Sequence, residues 1–147
     1  MTNRLLAKNY IEIMFKNNRL LRGKMNYSCG IAHLSVLQIH TLNFLKQQNN
    51  AQMSEIAEYF HIEMPSATSL LNKLVALQLV KRQNDKNDRR MVRVTLTEAG
   101  NELLEKAMEE KLIHIEKMLS YLTDKEQHEL LRLLEKLNDR IEENYEH

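Results

Sequence analysis

The chain has 147 residues, enough for one domain with a sizeable hydrophobic core. With 43% hydrophobic and 28% charged residues it has the composition of an ordinary soluble protein, and no apolar run approaches membrane-spanning length. A single cysteine excludes an internal disulfide bond. Because the N-terminus also lacks the layout of a signal peptide, we expect a cytoplasmic protein that does not enter membranes.

The net charge of +1 conceals an uneven distribution of charge along the chain. Residues 1–25 hold six cations against Glu12, whereas residues 98–147 hold fourteen acids against seven cations. A nucleic acid repels an acidic surface. We therefore expect the C-terminal part to point away from any nucleic acid, and the basic N-terminal part to contact either phosphates or the acidic helices.

Only three glycines and one proline leave little room for long loops, which favours a helical fold. The spacing of apolar residues predicts a helix over 3–25, broken by 23–30. A second helix begins at Ser35, which forms a capping box with Gln38, and stops within the polar run 47–50. A short helix follows over 52–60.

A further helix over 64–77 carries two contrasting faces. Five apolar residues share one face, at the spacing of an amphipathic helix: Ala67, Leu70, Leu71, Leu74 and Leu77. The opposite face has small polar residues, one cation and no acid: Ser66, Thr68, Ser69, Asn72 and Lys73. Such a face suits phosphates and base edges as partners. The alternative is a solvent-exposed face that happens to lack acids.

The segment after this helix reads as a basic β-hairpin. Residues 92–96 alternate apolar and polar side chains, as in a half-buried strand, and 79–83 is its expected partner. Between Lys81 and Arg93 there are six basic residues against Asp85 and Asp88, a local charge of about +4. This predicts an element that contacts phosphates or enters the minor groove, the alternative being a loop that is merely soluble.

Two long helices follow the hairpin. Thr97 caps one that runs to about Ser120, and Thr123 with Glu126 caps the last. The two short helices and the basic hairpin that precede them have the order of a winged helix-turn-helix. Together with the first helix, the two long helices expose more apolar surface than such a small winged domain needs for its own core. A second copy of the chain is the economical partner, and a twofold dimer would recognise a palindromic DNA site.

The run 85–90, followed by 92–100, resembles the wing signature of MarR-type transcriptional regulators, and segments 65–68 and 70–74 resemble their recognition helix. The resemblance implies a mainly α fold with a small β-hairpin (α+β), as a single protomer over 1–147. A winged helix-turn-helix lobe over 35–97 would be flanked by dimerisation helices at 3–25 and 98–145.

The resemblance also implies roles for individual residues. The five polar residues of the 64–77 helix would face the major groove, and a wing at 84–91 would enter the minor groove through Arg90, with Asp88 as its salt-bridge partner. The further wing residues are Lys86 and Arg89. The chain departs from the family at four positions. Glu63 stands where a Ser or Thr helix cap is common, and Gln78 stands where a helix-ending glycine is frequent. Ser69 and Asn72 replace an arginine and an aspartate that are common in the family.

The resulting prediction is a sequence-specific DNA-binding regulator, a homodimeric repressor on double-stranded DNA that responds to a small aromatic or lipophilic effector. The family places such effectors in a cleft, which four residues would line here: Met14, Phe15, His33 and Phe44. Two alternatives use the same winged domain, namely a protein–protein adaptor and an architectural protein without sequence preference. The chain has no catalytic motif and no cofactor-binding motif, so an enzyme is not expected.

Cys29 has three possible roles. It can be a plain structural residue, a redox switch that alters the spacing of the DNA-reading lobes, or a metal ligand. His40 lies near a position that the zinc-sensing branch of the family uses, and His114 with Glu110 would have to complete the site. Since these do not make a closed four-coordinate set, no metal is predicted.

Overall fold

A computed structural model describes residues 3–24, 34–85, 87–88 and 90–145. The helices are α1 Asn3–Lys24, α2 Val36–Gln48, α3 Met53–Tyr59, α4 Met64–Ala76, α5 Glu98–Leu119 and α6 Asp124–Tyr145. The strands are β1 Ala51–Gln52, β2 Val80–Asn84 and β3 Val92–Leu96, joined as an antiparallel sheet in the order β1-β3-β2. The chain divides into two compact units, residues 1–110 and 111–147.

The predicted fold class is confirmed, with one addition to the sheet. The sequence predicted a two-stranded hairpin, but Ala51 and Gln52 form a third strand by pairing with Val94 and Arg93. A strand of two residues is too short to show the alternation that marks a strand in the sequence. It is nevertheless part of the core, because Ala51 is buried.

Helix caps account for most of the predicted boundaries. The capping box of α2 is present, with Ser35 Oγ accepting the backbone N–H of Gln38 at 3.2 Å and Gln38 Oε1 accepting that of Ser35 at 2.7 Å. At α6, Thr123 donates its backbone N–H to Glu126 at 2.8 Å. The side chain of Glu63 makes no capping hydrogen bond to α4, as expected for a poor N-cap residue.

The core of the first unit forms where α4 packs against its neighbours. Four of the five residues predicted for its apolar face are buried: Ala67, Leu70, Leu71 and Leu74. Leu71 and Leu74 belong to a cluster with residues of α2, α3, the sheet and α5, among them Leu45, Ile56, Val94 and Leu104. The fifth residue, Leu77, is 42% exposed, because α4 ends at Ala76 and Leu77 is its C-cap.

The start of α5 is fastened to the segment that follows α4. Thr97 donates its backbone N–H to the carbonyl oxygen of Leu79 at 3.0 Å and its hydroxyl to that of Gln78 at 2.7 Å. Thr97 Oγ1 also accepts the backbone N–H of Gly100 at 3.0 Å, and so caps α5 as predicted. A Cβ on Gly100 would lie 2.1 Å from the carbonyl oxygen of Leu79, so this close approach requires glycine.

The long helices leave apolar side chains exposed, each within its own unit. On α1 the exposed residues include Leu5, Leu6, Tyr10, Ile11, Ile13, Met14, Phe15 and Leu20. On α6 they are Leu131, Leu133, Leu134, Leu137 and Ile141, each about half exposed. Such faces are stable in water when another surface covers them. Within the described residues no helix is both long and apolar enough to cross a membrane.

Gln78 adopts a left-handed backbone conformation, with φ of 59°. That conformation costs a non-glycine residue about 1–2 kcal/mol, which replacement by glycine would relieve. Glycine has more conformational freedom in the unfolded chain, and this reduces the gain in stability by about 0.5–1 kcal/mol. Gln78→Gly should therefore stabilise the protein by about 0.5–1 kcal/mol, measured by urea denaturation.

The matched control is Glu109→Gly, which introduces the same residue at an exposed position inside α5. It should destabilise the protein by about 1 kcal/mol, because glycine is a poor helix former. If both substitutions destabilise to the same extent, the conformation at Gln78 carries no strain.

Candidate nucleic-acid interface

The polar face of α4 is exposed and largely uncommitted. Ser66, Ser69, Asn72 and Lys73 are exposed, and their side chains make no hydrogen bond or ion pair with any residue that the structure describes. Thr68 is half-buried, and its hydroxyl donates to the carbonyl oxygen of Met64 at 2.9 Å. The face therefore offers hydroxyl, amide and ammonium groups whose bonding capacity is free for a partner, the chemistry that base edges and phosphates require.

The wing, which joins β2 to β3, is shaped by hydrogen bonds among its own residues. The backbone N–H of Asp85 donates to the carbonyl oxygen of Met91 at 2.8 Å, and that of Met91 donates to the carbonyl oxygen of Asp88 at 2.9 Å. One carboxylate oxygen of Asp85 accepts the backbone N–H groups of Asn87 and Asp88, at 2.7 and 3.2 Å. Arg90 and Arg93 add further hydrogen bonds to the carboxylates of Asp88 and Asp85, respectively.

Asp88 contacts Arg90 in a different way from the salt bridge that the resemblance implied. Its carboxylate accepts the backbone N–H of Arg90 at 2.9 Å, an aspartate turn of the kind common in loops. The exposed guanidinium of Arg90 forms no ion pair with any described residue. Asp88 thus shapes the backbone at Arg90 without forming an ion pair with the Arg90 guanidinium. Lys86 and Arg89 lie outside the described residues.

The sequence did not reveal the partner of Arg93. Its Nε donates to the second carboxylate oxygen of Asp85 at 2.5 Å, and both side chains are largely buried, 29% and 13% exposed. Asp85 follows Asn84, which is opposite Val92, so Arg93 is its diagonal neighbour across the hairpin. The register of β2 and β3 therefore identifies Asp85 as the partner of Arg93, whereas a count of charges along the sequence does not.

The pKa of Asp85 is lowered from its ordinary value of 3.8 to about 2. The main cause is the hydrogen bond from the Arg93 guanidinium, followed by the backbone N–H groups of Asn87 and Asp88. The carboxylate therefore stays ionised and paired throughout the neutral and mildly acidic range.

The structure describes three of the four predicted effector-cleft residues, and the cleft itself stays a prediction. Met14 and Phe15 are exposed on α1, and His33 lies outside the described residues. Phe44 is buried, with its ring centroid 4.4 Å from that of Tyr59 and 6.0 Å from that of Phe60. An open depression of about 270 Å³ beside it is lined by Phe44, Gln48, Glu55, Glu58 and Tyr59, and by neither α1 residue.

The metal hypothesis gains no support from the described residues. Across 3–24, 34–85, 87–88 and 90–145, no three histidine, cysteine, aspartate or glutamate side chains are grouped so as to hold an ion. His40 is exposed on α2 and His114 is half-buried on α5. Cys29, on which the redox hypothesis also depends, lies outside the described residues.

Comparison with known proteins agrees with this geometry. Residues 34–92, which contain α2 to the first residue of β3, match the model of the MarR family. The chain is 30% identical over 105 residues to the HTH-type transcriptional regulator YpoP of Bacillus subtilis, covering 71% of this chain and 74% of that protein. The chain belongs to the MarR family. It is therefore a transcriptional regulator with a DNA-binding winged helix-turn-helix fold, and its relatives are regulators rather than enzymes.

This MarR-family chain is also similar to a second regulator and to a solved structure. It is 27% identical over 100 residues to the HTH-type transcriptional repressor MdtR of Bacillus subtilis, covering 68% of this chain and 64% of that protein. Its structure resembles that of a MarR family protein from Bacillus stearothermophilus, with a TM-score of 0.78 and 20% identity, covering 96% of this chain and 98% of that one. This second likeness supports the fold.

The lowered pKa of Asp85 leads to a prediction about acid. In the folded protein the pKa of Asp85 lies below its ordinary value, so the ionised carboxylate stabilises the fold above about pH 4. This stabilisation is lost as the pH falls through about 2. Titration of side-chain carboxyl carbons by NMR should give Asp85 a midpoint near 2. A midpoint at the ordinary value would mean that the Asp85–Arg93 pair does not form in solution.

Proposed function

We propose that this MarR-family regulator is a repressor that binds a palindromic operator as a homodimer, with α4 in the major groove and the wing at 84–91 in the minor groove. The observation that carries the proposal is the uncommitted polar face of α4, whose exposed serine, asparagine and lysine groups have no partner among the described residues. The minor-groove contact is supported by Arg90, whose guanidinium forms no ion pair with any described residue and whose backbone N–H is held by Asp88.

The dimer is supported by the apolar faces of α1 and α6. In one protomer their leucine and isoleucine side chains are about half exposed, an arrangement that a second copy would correct. Charge is complementary as well, since residues 1–25 are basic and residues 98–147 are acidic. The relative MdtR is described as a repressor, which favours repression over activation for this chain.

Control by an effector completes the proposal. A small aromatic or lipophilic molecule that binds one arrangement of the two DNA-reading lobes better than the other would weaken DNA binding by a coupling of about 1–3 kcal/mol. Sensing through Cys29, by oxidation or by a metal, is the alternative form of control. The regulator would act in the cytoplasm, where operator DNA and metabolites are both accessible.

Arg90→Ala should weaken binding to duplex DNA and make it less sensitive to salt. Each phosphate-type contact that is lost lowers the slope of log K against log salt by about 0.9 per half-site. Fluorescence anisotropy between about 50 and 200 mM salt measures this slope. An unchanged slope and affinity would show that Arg90 does not reach DNA.

Asn72→Ala should change sequence preference rather than general affinity. If Asn72 reads a base edge, the substitution costs about 1–3 kcal/mol at one base position in each half-site and leaves binding to nonspecific duplex unaltered. Competition against single-base variants of the operator measures this effect. Equal weakening on all sequences would assign Asn72 to the backbone of DNA instead.

The operator needed for these measurements would come from selection of bound duplexes in a random pool. A palindrome with half-sites about one helical turn apart is expected for a twofold dimer. Recovery of no preferred sequence despite binding would indicate an architectural protein, and no binding at low salt would favour the protein–protein adaptor.

A further inference from the structure

A set of connected hydrogen bonds lies at the base of the wing. The carboxylate of Asp85 accepts hydrogen bonds from three donors: the backbone N–H groups of Asn87 and Asp88, and Nε of Arg93. At 13% exposed, the Asp85 side chain is much less accessible than a typical loop carboxylate. A surface pair held only by attraction between charges would be weak, but these bonds fix geometry on two elements at once.

The hydrogen bonds continue from this carboxylate to the wing arginine. Asp85 holds the backbone of Asp88, and the carboxylate of Asp88 accepts the backbone N–H of Arg90. Met91 closes the turn by donating to the carbonyl oxygen of Asp88 and accepting from the backbone N–H of Asp85. The backbone of Arg90 is therefore linked, through Asp88 and Asp85, to an ion pair whose cationic member, Arg93, belongs to β3.

We infer that Asp85 and Arg93 form a positioning pair that pre-shapes the wing for DNA, and that Arg93 is a structural cation rather than a phosphate contact. The inference rests on the proposed function of the wing. A wing already in its bound shape loses less conformational entropy on binding, so the pair raises affinity without touching DNA. The low pKa of Asp85 keeps its carboxylate ionised in mildly acidic as well as in neutral solution.

The sign of one substitution separates positioning from general electrostatics. Asp85 is an acid beside a surface that binds a polyanion, so removing its charge would strengthen DNA binding if charge alone mattered. If Asp85 positions the wing, Asp85→Asn should weaken binding, by about tenfold for a coupling of ordinary size between adjacent groups. Glu98→Gln is the matched control, because it removes one exposed acid that makes no ion pair within the described residues.

Arg93→Gln tests the other member of the pair. Loss of positioning should weaken binding about as much as Asp85→Asn does, and should leave the salt slope unchanged. A phosphate contact would instead lower the slope by about 0.9 per half-site, as expected for Arg90→Ala. The double variant Asp85→Asn with Arg93→Gln should bind no worse than the weaker single variant, because one broken pair cannot be broken again.

A measurement on the free protein checks the pair without DNA. In the wild type, hydrogen exchange by NMR should show slowed exchange at Arg93 Nε–H and at the backbone amides of Asn87 and Asp88, and Asp85→Ala should abolish all three effects. Circular dichroism and the solution mass of each variant verify that the lobe and the assembly persist. Unprotected hydrogens in the wild type would overturn the inference.

The outcomes distinguish failure of the pair from failure of the proposed function. If the wild type binds operator DNA and Arg90→Ala weakens it, yet Asp85→Asn strengthens binding or behaves like Glu98→Gln, positioning is disproved and DNA reading stands. If the wild type binds no duplex although the three hydrogens are protected, the proposed function is disproved, and the role of the pair in DNA reading falls with it.

Discussion

The burial of one side of α4 is the constraint on which the DNA-reading surface depends. Ala67, Leu70, Leu71 and Leu74 are fixed in the core, so the rotation of the helix about its axis is set. The side chains between them must then face outward, and none of those is acidic. Specificity in a winged helix-turn-helix begins with this rotation, because a helix free to turn would present different side chains to the same bases.

The wing follows a different physical rule, since it has almost no core to hold it. Hydrogen bonds from backbone groups to two carboxylates take the place of hydrophobic packing, and a guanidinium from β3 secures one of them. A short loop can be ordered in this way because each bond satisfies a group that would otherwise need water. The two described arginines of this region therefore differ: Arg93 is paired with Asp85, whereas the guanidinium of Arg90 forms no ion pair with any described residue.

Local patterns made much of this fold predictable. The period of apolar residues gave α4 within one residue of its end and β3 without error, and cap residues located the starts of α2, α5 and α6. Two features that depend on cross-strand register were not predictable, namely β1 and the Asp85–Arg93 pair. The resemblance also implied a salt bridge to Arg90 where the Asp88 carboxylate instead accepts its backbone N–H. Leu77 was misplaced because periodicity does not show where a helix stops.

The hydrogen bonds between Thr97 and the carbonyl groups of Gln78 and Leu79 have a mechanical consequence. With no room for even a methyl group at Gly100, the first turn of α5 packs directly against the segment that follows α4, which couples the two. A tilt imposed on this end of α5 would therefore also shift the C-terminal end of α4. If α4 lies in the major groove as proposed, a shift of about one ångström would move its polar side chains relative to the bases.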